Sequence, residues 1–173
     1  QGGAPVATRR DTTASGSRPR IVFIGTSLTA GYGLPDMGLA YPALIQRRID
    51  AAGLRYDVVN AGVSGATSAD ARRSIDWIMG RPVDVVVIET GANDGLRGLD
   101  VDSLRANIQA LIDRARRQAP PPRIVIVGME APPNYGADYA QRFRAVYPDL
   151  AQANGGATST QPDQRETRRP CPR

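Results

Sequence analysis

Short runs of aliphatic residues alternate with longer stretches in which apolar residues recur at helical spacing, from Arg20 onward. Runs of this kind, rich in Val and Ile and unbroken by polar residues, are typical of strands buried on both faces of a parallel sheet. They predict four strands, at residues 21–24, 56–59, 83–88 and 124–127. Their alternation with helical segments predicts βαβ units and therefore an α/β fold.

The helical spacing predicts four helices, at residues 41–52, 68–79, 101–118 and 138–153. The first ends at Gly53, a residue suited to a left-handed C-cap. The second has Ser68 or Asp70 near its N-cap. The third stops at a run of three prolines that begins at Pro120, because proline lacks the helical donor and clashes with the preceding turn.

The hydrophobic pattern is confined to the middle of the chain and predicts one domain, at residues 20–156. Residues 1–19 form a low-complexity segment, which we expect to be a flexible leader. Residues 157–173 contain no Val, Ile, Leu, Met, Phe, Trp or Tyr, and we expect a disordered polar tail there. The leader favours a periplasmic or secreted location over a cytoplasmic one.

The net charge of +5 is spread in a way that argues against a nucleic-acid partner. Residues 1–19 and 157–173 each carry a surplus of two positive charges, so the predicted domain is left with about +1. No stretch approaches the ~20 apolar residues that a transmembrane helix needs, so no membrane insertion is predicted. Cys171 is the single cysteine and offers neither a disulfide nor a metal site. No cofactor is predicted, and the oligomeric state is left open.

Three polar segments follow the first three predicted strands. Ser27 follows the first strand, Gly62 to Gly65 follow the second, and Asn93 follows the third. Because ligands of open parallel sheets bind outside the carboxyl ends of the strands, we expect these segments to meet in space. Residues 128–133 would form a further wall of this site. Each polar residue alone is more simply explained as a cap or turn former, but three together favour a functional site.

The residue types suit hydrolysis of an ester or thioester. The Ser27 hydroxyl would attack an acyl carbon, and the oxyanion would receive hydrogen bonds from the amides of Ser27 and Gly65 and from the Asn93 side chain. Glycine at position 65 lets the backbone approach a substrate closely. Asp94 is either an acceptor behind Asn93 or a helix cap, and the sequence leaves both open.

At these residues the chain resembles the SGNH (GDSL-type) hydrolases, most closely the branch of thioesterase I/lysophospholipase L1 and the arylesterases. The resemblance runs from about residue 20 to about residue 153, through motifs at residues 21–33, 58–67, 89–98 and 132–136. It implies a flavodoxin-like three-layer α/β/α sandwich with a parallel sheet. It also implies a small acyl ester or thioester as the substrate. The implied site residues are the nucleophile Ser27, the oxyanion donors Ser27, Gly65 and Asn93, and the substrate-binding residues Pro132, Pro133, Asn134 and Tyr135.

The chain departs from the family pattern at two places. Thr26 stands where the family has Asp, which we expect to be tolerated because this residue is a neighbour of the nucleophile. The family's closing Asp-x-x-His block, after a fifth strand, should lie beyond Gly156, and none of the 173 residues is His. We therefore expect the C-terminal strand and the His-bearing segment to be missing, as in a truncated or frame-shifted reading of a hydrolase gene, and activity to be impaired.

Two other interpretations stay open. The chain is a catalytically inactive protein that binds acyl or glycan ligands, or it is a flavodoxin-like nucleotide binder. In the latter, residues 31–33 (Gly-Tyr-Gly) would cradle a phosphate at a helix N-terminus. A standard α/β-hydrolase is disfavoured, because its nucleophile turn needs Gly at position 29, where this chain has Thr.

Overall fold

The computed structural model describes residues 17–155 and 157–160. Within them, five parallel strands form one sheet in the order β2-β1-β3-β4-β5. The strands are β1 (Arg20–Gly25), β2 (Asp57–Gly62), β3 (Val85–Ile88), β4 (Arg123–Gly128) and β5 (Ala157–Thr160). The four predicted strands are confirmed as β1 to β4, and β2 continues three residues further than its apolar run, to Gly62.

The fifth strand corrects the expectation of a missing C-terminal strand. Residues 157–160, which we expected to begin a disordered tail, pair in parallel with β4, with Ile126 opposite Thr158 and Gly128 opposite Thr160. Strand pairing uses main-chain donors and acceptors, so a segment without large apolar side chains still extends a sheet. Residues 161–173, the rest of the expected tail, lie outside the described residues, as do residues 1–16 of the expected leader.

Six α-helices join or follow the strands within residues 17–155. They are α1 (Ser27–Ala30), α2 (Tyr41–Ala51), α3 (Ser68–Ile78), α4 (Ala92–Leu96), α5 (Val101–Arg116) and α6 (Ala137–Ala153). The four long helices agree with the predicted ones. The short helices α1 and α4 were not predicted; they stand in the polar segments that follow β1 and β3. Of the described helices, none is long and apolar enough to cross a bilayer.

The helices cover both faces of the sheet, which confirms the three-layer α/β/α sandwich. Val22 and Ile24 of β1 belong to the large buried cluster formed with α3, α5 and α6. Side chains alternate along a strand, so Phe23 lies on the other face. There its ring makes an edge contact with Tyr41 of α2, with centroids 5.4 Å apart. The carboxyl ends of all five strands therefore meet at one edge of a covered sheet.

Helix α3 starts at Ser68 as predicted, but its N-cap is Thr67, one residue before Ser68, which we expected near the cap. Thr67 is the N-cap, and its side chain accepts from the Asp70 amide while the Asp70 carboxylate accepts from the Thr67 amide at 2.8 Å. This reciprocal arrangement is a capping box, in which the acidic residue three positions on completes the cap. Ser68 is thus the first residue of α3, and its side chain is free for another partner.

Candidate active site

Ser27 is the first residue of α1, directly after β1, and its side chain is half-buried. Helix α1 is a single turn that ends at Gly31, whose φ of 80° is left-handed. The sharp reversal places Ser27 at the carboxyl edge of the sheet, as the sequence predicted.

The turn that carries Gly65 follows β2 and is held against the end of β1. The Val63 amide donates to the Gly25 carbonyl at 2.9 Å. A Cβ on Gly62 would overlap the backbone of Ala30, so glycine at this position lets α1 rest directly on β2. Gly65 itself is exposed, with a φ of 79° that favours glycine.

Asn93 lies in the first turn of α4 and reaches across to the same turn. Its side-chain amide donates to the Ala66 carbonyl at 2.9 Å, and the Arg97 guanidinium donates to the Gly65 carbonyl at 3.1 Å. These two bonds join the segment after β3 to the segment after β2. One hydrogen of the Asn93 amide is then committed, and the second is left for another acceptor.

Two main-chain donors at this edge are unused. Neither the Ser27 amide nor the Gly65 amide donates to any atom of residues 17–155. Both residues are at least partly accessible, so these donors are open to a ligand oxygen. Backbone donors held by surrounding structure and left unsatisfied are the usual means of binding a developing oxyanion.

Asp94 caps helix α3. Of the two roles that the sequence left open, an acceptor behind Asn93 or a helix cap, the structure shows the cap. Its carboxylate is 3% exposed and accepts from the Ser68 amide at 2.8 Å and from the Ser68 hydroxyl at 2.6 Å. The side chain is therefore directed toward the start of α3. This bond fixes α4, which carries Asn93, to α3, which follows the Gly65 turn.

A row of aromatic side chains supports the Asn93 segment from the other side. The row contains Tyr135, Tyr139, Phe143 and Tyr147, with successive ring centroids 5.4 to 6.1 Å apart. Its members lie against glycines of the Asn93 segment: Gly91 against Tyr147, Gly95 against Phe143 and Gly98 against Tyr135. Burial raises the pKa of Tyr147 well above its usual range, so its hydroxyl stays protonated and donates to the Thr90 carbonyl at 3.1 Å.

The four residues expected to bind substrate follow β4. Pro133–Tyr135 form a short 3-10 helix, and the Tyr135 hydroxyl donates to the Leu96 carbonyl at 3.2 Å. Pro132 is half-buried, whereas Pro133 and Asn134 are exposed. The segment thus contacts the end of α4, close to Asn93 in the chain, and its role in substrate binding stays a prediction.

Glu89 is the residue that the sequence analysis missed. It directly follows β3, is 2% exposed, and its carboxylate is bonded to the two residues on either side of the Ser27–Leu28 pair. An acidic residue immediately after four consecutive aliphatic residues was the available signal, because a charge at the end of a buried strand must be paired. Its neighbour Tyr41 is affected as well: burial raises the pKa of Tyr41, and the charge of Glu89 adds to that rise.

The glycines at 31 and 33 do not form the phosphate cradle that the nucleotide-binding hypothesis requires. Gly31 ends α1, and its amide is bonded to the Ser27 carbonyl at 3.0 Å. A helix C-terminus presents carbonyls, which repel a phosphate. Across the described residues, no group of three or more His, Cys, Asp or Glu side chains has the geometry to hold a metal ion.

Comparison with known proteins identifies relatives over most of the chain. Residues 23–160 match the GDSL-like Lipase/Acylhydrolase family. Esterase TesA of Pseudomonas aeruginosa is 35% identical over 141 residues, which cover 80% of this chain and 68% of that protein. The arylesterase of Vibrio mimicus is 31% identical over 140 residues, covering 80% and 68% respectively. The crystal structure of AlinE4, an SGNH-hydrolase family esterase, superposes with a TM-score of 0.76 at 34% identity, covering 84% of this chain and 77% of that one.

Proposed function

Because the chain belongs to the GDSL-like lipase/acylhydrolase family, we propose that Ser27 is the nucleophile of an ester or thioester hydrolase. In this proposal the Ser27 oxygen bonds to the acyl carbon, and the alcohol or thiol leaves with a proton. Water then cleaves the acyl-serine, which releases the acid and restores the hydroxyl. The amides of Ser27 and Gly65 and the free hydrogen of the Asn93 amide stabilise the oxyanion in both steps.

The observation that carries this proposal is the hydrogen bond between the Asn93 side chain and the Ala66 carbonyl. It joins the segments that hold two of the three proposed donors, although the two residues are 27 positions apart in the chain. A cap or a turn former needs no such link between two strand-to-helix connections. The unused amides of Ser27 and Gly65 at the same edge supply the remaining donors.

The surface around the site suits an apolar acyl group. The segments that follow β1, β2, β3 and β4 each expose at least one large apolar side chain at this edge of the sheet, among them Leu28 (53% exposed), Val63 (57%), Leu96 (61%) and Tyr135 (43%). Exposed apolar groups from separate segments at one edge of a fold are typical of a ligand-binding surface. Pro132, Pro133 and Asn134 complete the same wall in this proposal.

The absence of histidine sets the expected rate. No residue of the 173 can supply an imidazole base. We therefore expect this sequence to hydrolyse short p-nitrophenyl esters at least ~10³ more slowly than a version extended with a family-type Asp-x-x-His segment, on the magnitude known for triads that have lost their base.

A fluorophosphonate probe tests the assignment, because it labels a serine that attacks beside an oxyanion site. We expect slow labelling at Ser27, mapped by peptide mass spectrometry, and none in Ser27→Ala. Ser74→Ala, an exposed serine on α3, is the matched control and should label as the parent chain does. Asn93→Ala should slow labelling by roughly 10² to 10³, the effect of losing one oxyanion donor. Labelling that persists in Ser27→Ala would refute the proposal.

A second candidate function, ligand binding without turnover, is favoured by the same lack of histidine. Calorimetric titration with decanoate and a p-nitrophenyl butyrate assay separate the two. Turnover that Ser27→Ala abolishes supports the hydrolase. Decanoate binding with equal turnover in both chains supports the binding protein.

A further inference from the structure

The turn that carries Ser27 is built on a buried carboxylate from the residue that follows β3. Glu89 is 2% exposed and accepts four hydrogen bonds from two residues. Thr26 donates its amide at 3.0 Å and its hydroxyl at 2.8 Å. Thr29 donates its amide at 3.2 Å and its hydroxyl at 2.6 Å. Both carboxylate oxygens are engaged, and every partner is a donor, which is the arrangement that an acceptor-only group needs.

Glu89 supplies the N-cap that α1 lacks in its own sequence. Thr26 is the N-cap residue of α1, yet its side chain makes no capping bond to the helix. The first amides of a helix have no partner within the helix and must find one elsewhere. Here the amides of Thr26 and Thr29 donate to Glu89, whereas the amides of Ser27 and Leu28 between them donate to no atom of the described residues. The carboxylate therefore binds two amides of this turn and leaves the Ser27 amide without a partner in the described part of the chain.

The hydrogen bonds among Tyr41, Thr29 and Glu89 all run toward the Glu89 carboxylate. The Thr29 hydroxyl has a single hydrogen, which goes to Glu89, so the Tyr41 hydroxyl must donate to Thr29 across 2.7 Å. Tyr41 is the first residue of α2. Through these bonds the carboxylate links the end of β3 to α1 directly and to α2 by way of Thr29. Both residues that donate to it, Thr26 and Thr29, are within two positions of Ser27 in the chain.

The space beneath Ser27 is shaped for this group. A Cβ on Gly25 would overlap the Thr29 side chain and lie 2.7 Å from a carboxylate oxygen of Glu89. Only glycine leaves room there for the carboxylate to reach the amides of α1.

We propose that Glu89 is a positioning residue for the nucleophile: its carboxylate caps α1 from β3 and holds the Ser27 hydroxyl and amide at the surface in reactive geometry. This inference rests on the proposed function, in which Ser27 attacks the acyl carbon. Glu89 touches no substrate and acts through Thr26 and Thr29. Thr26, which stands where the family has Asp, donates the hydroxyl hydrogen that this carboxylate accepts.

The test compares Glu89→Gln with the parent chain by fluorophosphonate labelling of Ser27. Glutamine has a similar volume, but its side-chain NH2 group is a donor and cannot accept hydrogen bonds from the amides and hydroxyls of Thr26 and Thr29. We expect the maximal labelling rate, kinact, to fall at least tenfold with the probe's KI unchanged. Ile112→Ala is the stability control, because Ile112 is fully buried on α5 away from this network. We expect it to lower the unfolding midpoint and to label Ser27 at the parent rate while folded.

A matched pair at Thr26 tests the hydroxyl bond alone. Thr26→Ser keeps the donor and should label like the parent chain, whereas Thr26→Val removes the donor at similar volume and should label several-fold more slowly. Equal labelling in Glu89→Gln and the parent chain would overturn the proposal, as would a Glu89→Gln defect no larger than that of Ile112→Ala.

Amide hydrogen exchange separates this inference from the proposed function. If the parent chain is not labelled at Ser27, the proposed function fails, and exchange then decides the role of Glu89. Faster exchange in Glu89→Gln confined to residues 26–31 supports capping by the carboxylate. Exchange equal to that of the parent chain in those residues overturns it.

Discussion

The hydroxyl of Tyr147 occupies the space that a side chain on Gly91 would need. Gly91 precedes α4 with a φ of 106°, and a Cβ there would overlap the Tyr147 hydroxyl and lie 3.1 Å from Leu104. The hydroxyl is buried and donates to the Thr90 carbonyl. Helix α6, which carries Tyr147, therefore packs against the residues that precede Asn93. The contact between Tyr147 and Gly91 connects the core to a proposed oxyanion donor.

Gly91→Ala should destabilise the fold much more than the same change at an open glycine. Gly53 also has a positive φ, 68°, but no atom of the described residues lies within 4 Å of the Cβ it would gain. Gly53→Ala therefore incurs only the left-handed penalty of about 1–2 kcal/mol. Gly91→Ala adds an overpacking cost of about 1–3 kcal/mol. Urea unfolding of the two variants measures the difference, and equal midpoints would contradict the close approach.

Removing the Tyr147 hydroxyl should partly rescue Gly91→Ala. Without that oxygen, the nearest ring atom, Cζ, lies 3.4 Å from the new Cβ, which is ordinary contact. Tyr147→Phe alone should cost about 1 kcal/mol for the lost hydrogen bond to Thr90. The double variant should then be more stable than the sum of the two single changes predicts, by about 1 kcal/mol or more in a double-mutant cycle. Strict additivity would show that the two groups do not meet.

The long elements of the fold could be predicted because their apolar pattern is set by burial. Val22 and Ile24 face one helical layer and Phe23 faces the other, so the run of β1 reads as continuous. The short helices α1 and α4 contain too few residues for apolar side chains to recur at helical spacing, so the sequence does not predict them. The strand at residues 157–160 pairs through its backbone and has no large apolar side chain to reveal it.

The candidate site was predictable in its positions and not in its connections. Ser27, Gly65 and Asn93 follow three strands, and a parallel sheet brings such residues to one edge. The partners of Glu89 are 60 and 63 residues away in the chain, and the partner of Asp94 is 26 residues away. No local period relates residues so far apart, so only the fold shows that one carboxylate caps α1 and the other caps α3.

The cap of α3 should make stability depend on pH in the acidic range. The hydrogen bonds from Thr67 lower the pKa of Asp70 below its usual value of 3.8, and the charge of Arg73 adds a smaller effect. A lowered folded-state pKa means that the carboxylate contributes stability above pH 3.8 and loses it as the pH falls through the folded value. We expect the gap in unfolding free energy between the parent chain and Asp70→Asn to be constant near neutrality and to shrink below pH 3.8. A gap that is unchanged down to pH 2 would contradict the capping box.

Apolar side chains at the carboxyl edge should select longer acyl groups. Val63 and Leu96 are more than half exposed and follow β2 and β3, beside the proposed donors. Contact with an alkyl chain would remove apolar surface from water, at roughly 25 cal/mol per Å². Leu96→Ser should therefore lower the labelling rate of Ser27 by an octyl fluorophosphonate by about three- to tenfold, with little effect on an ethyl one. Leu54→Ser is the matched control, because Leu54 is 54% exposed but precedes β2, at the opposite edge of the sheet. An equal loss for both probes in Leu96→Ser, or the same octyl-specific loss in Leu54→Ser, would show that this edge does not bind the acyl chain.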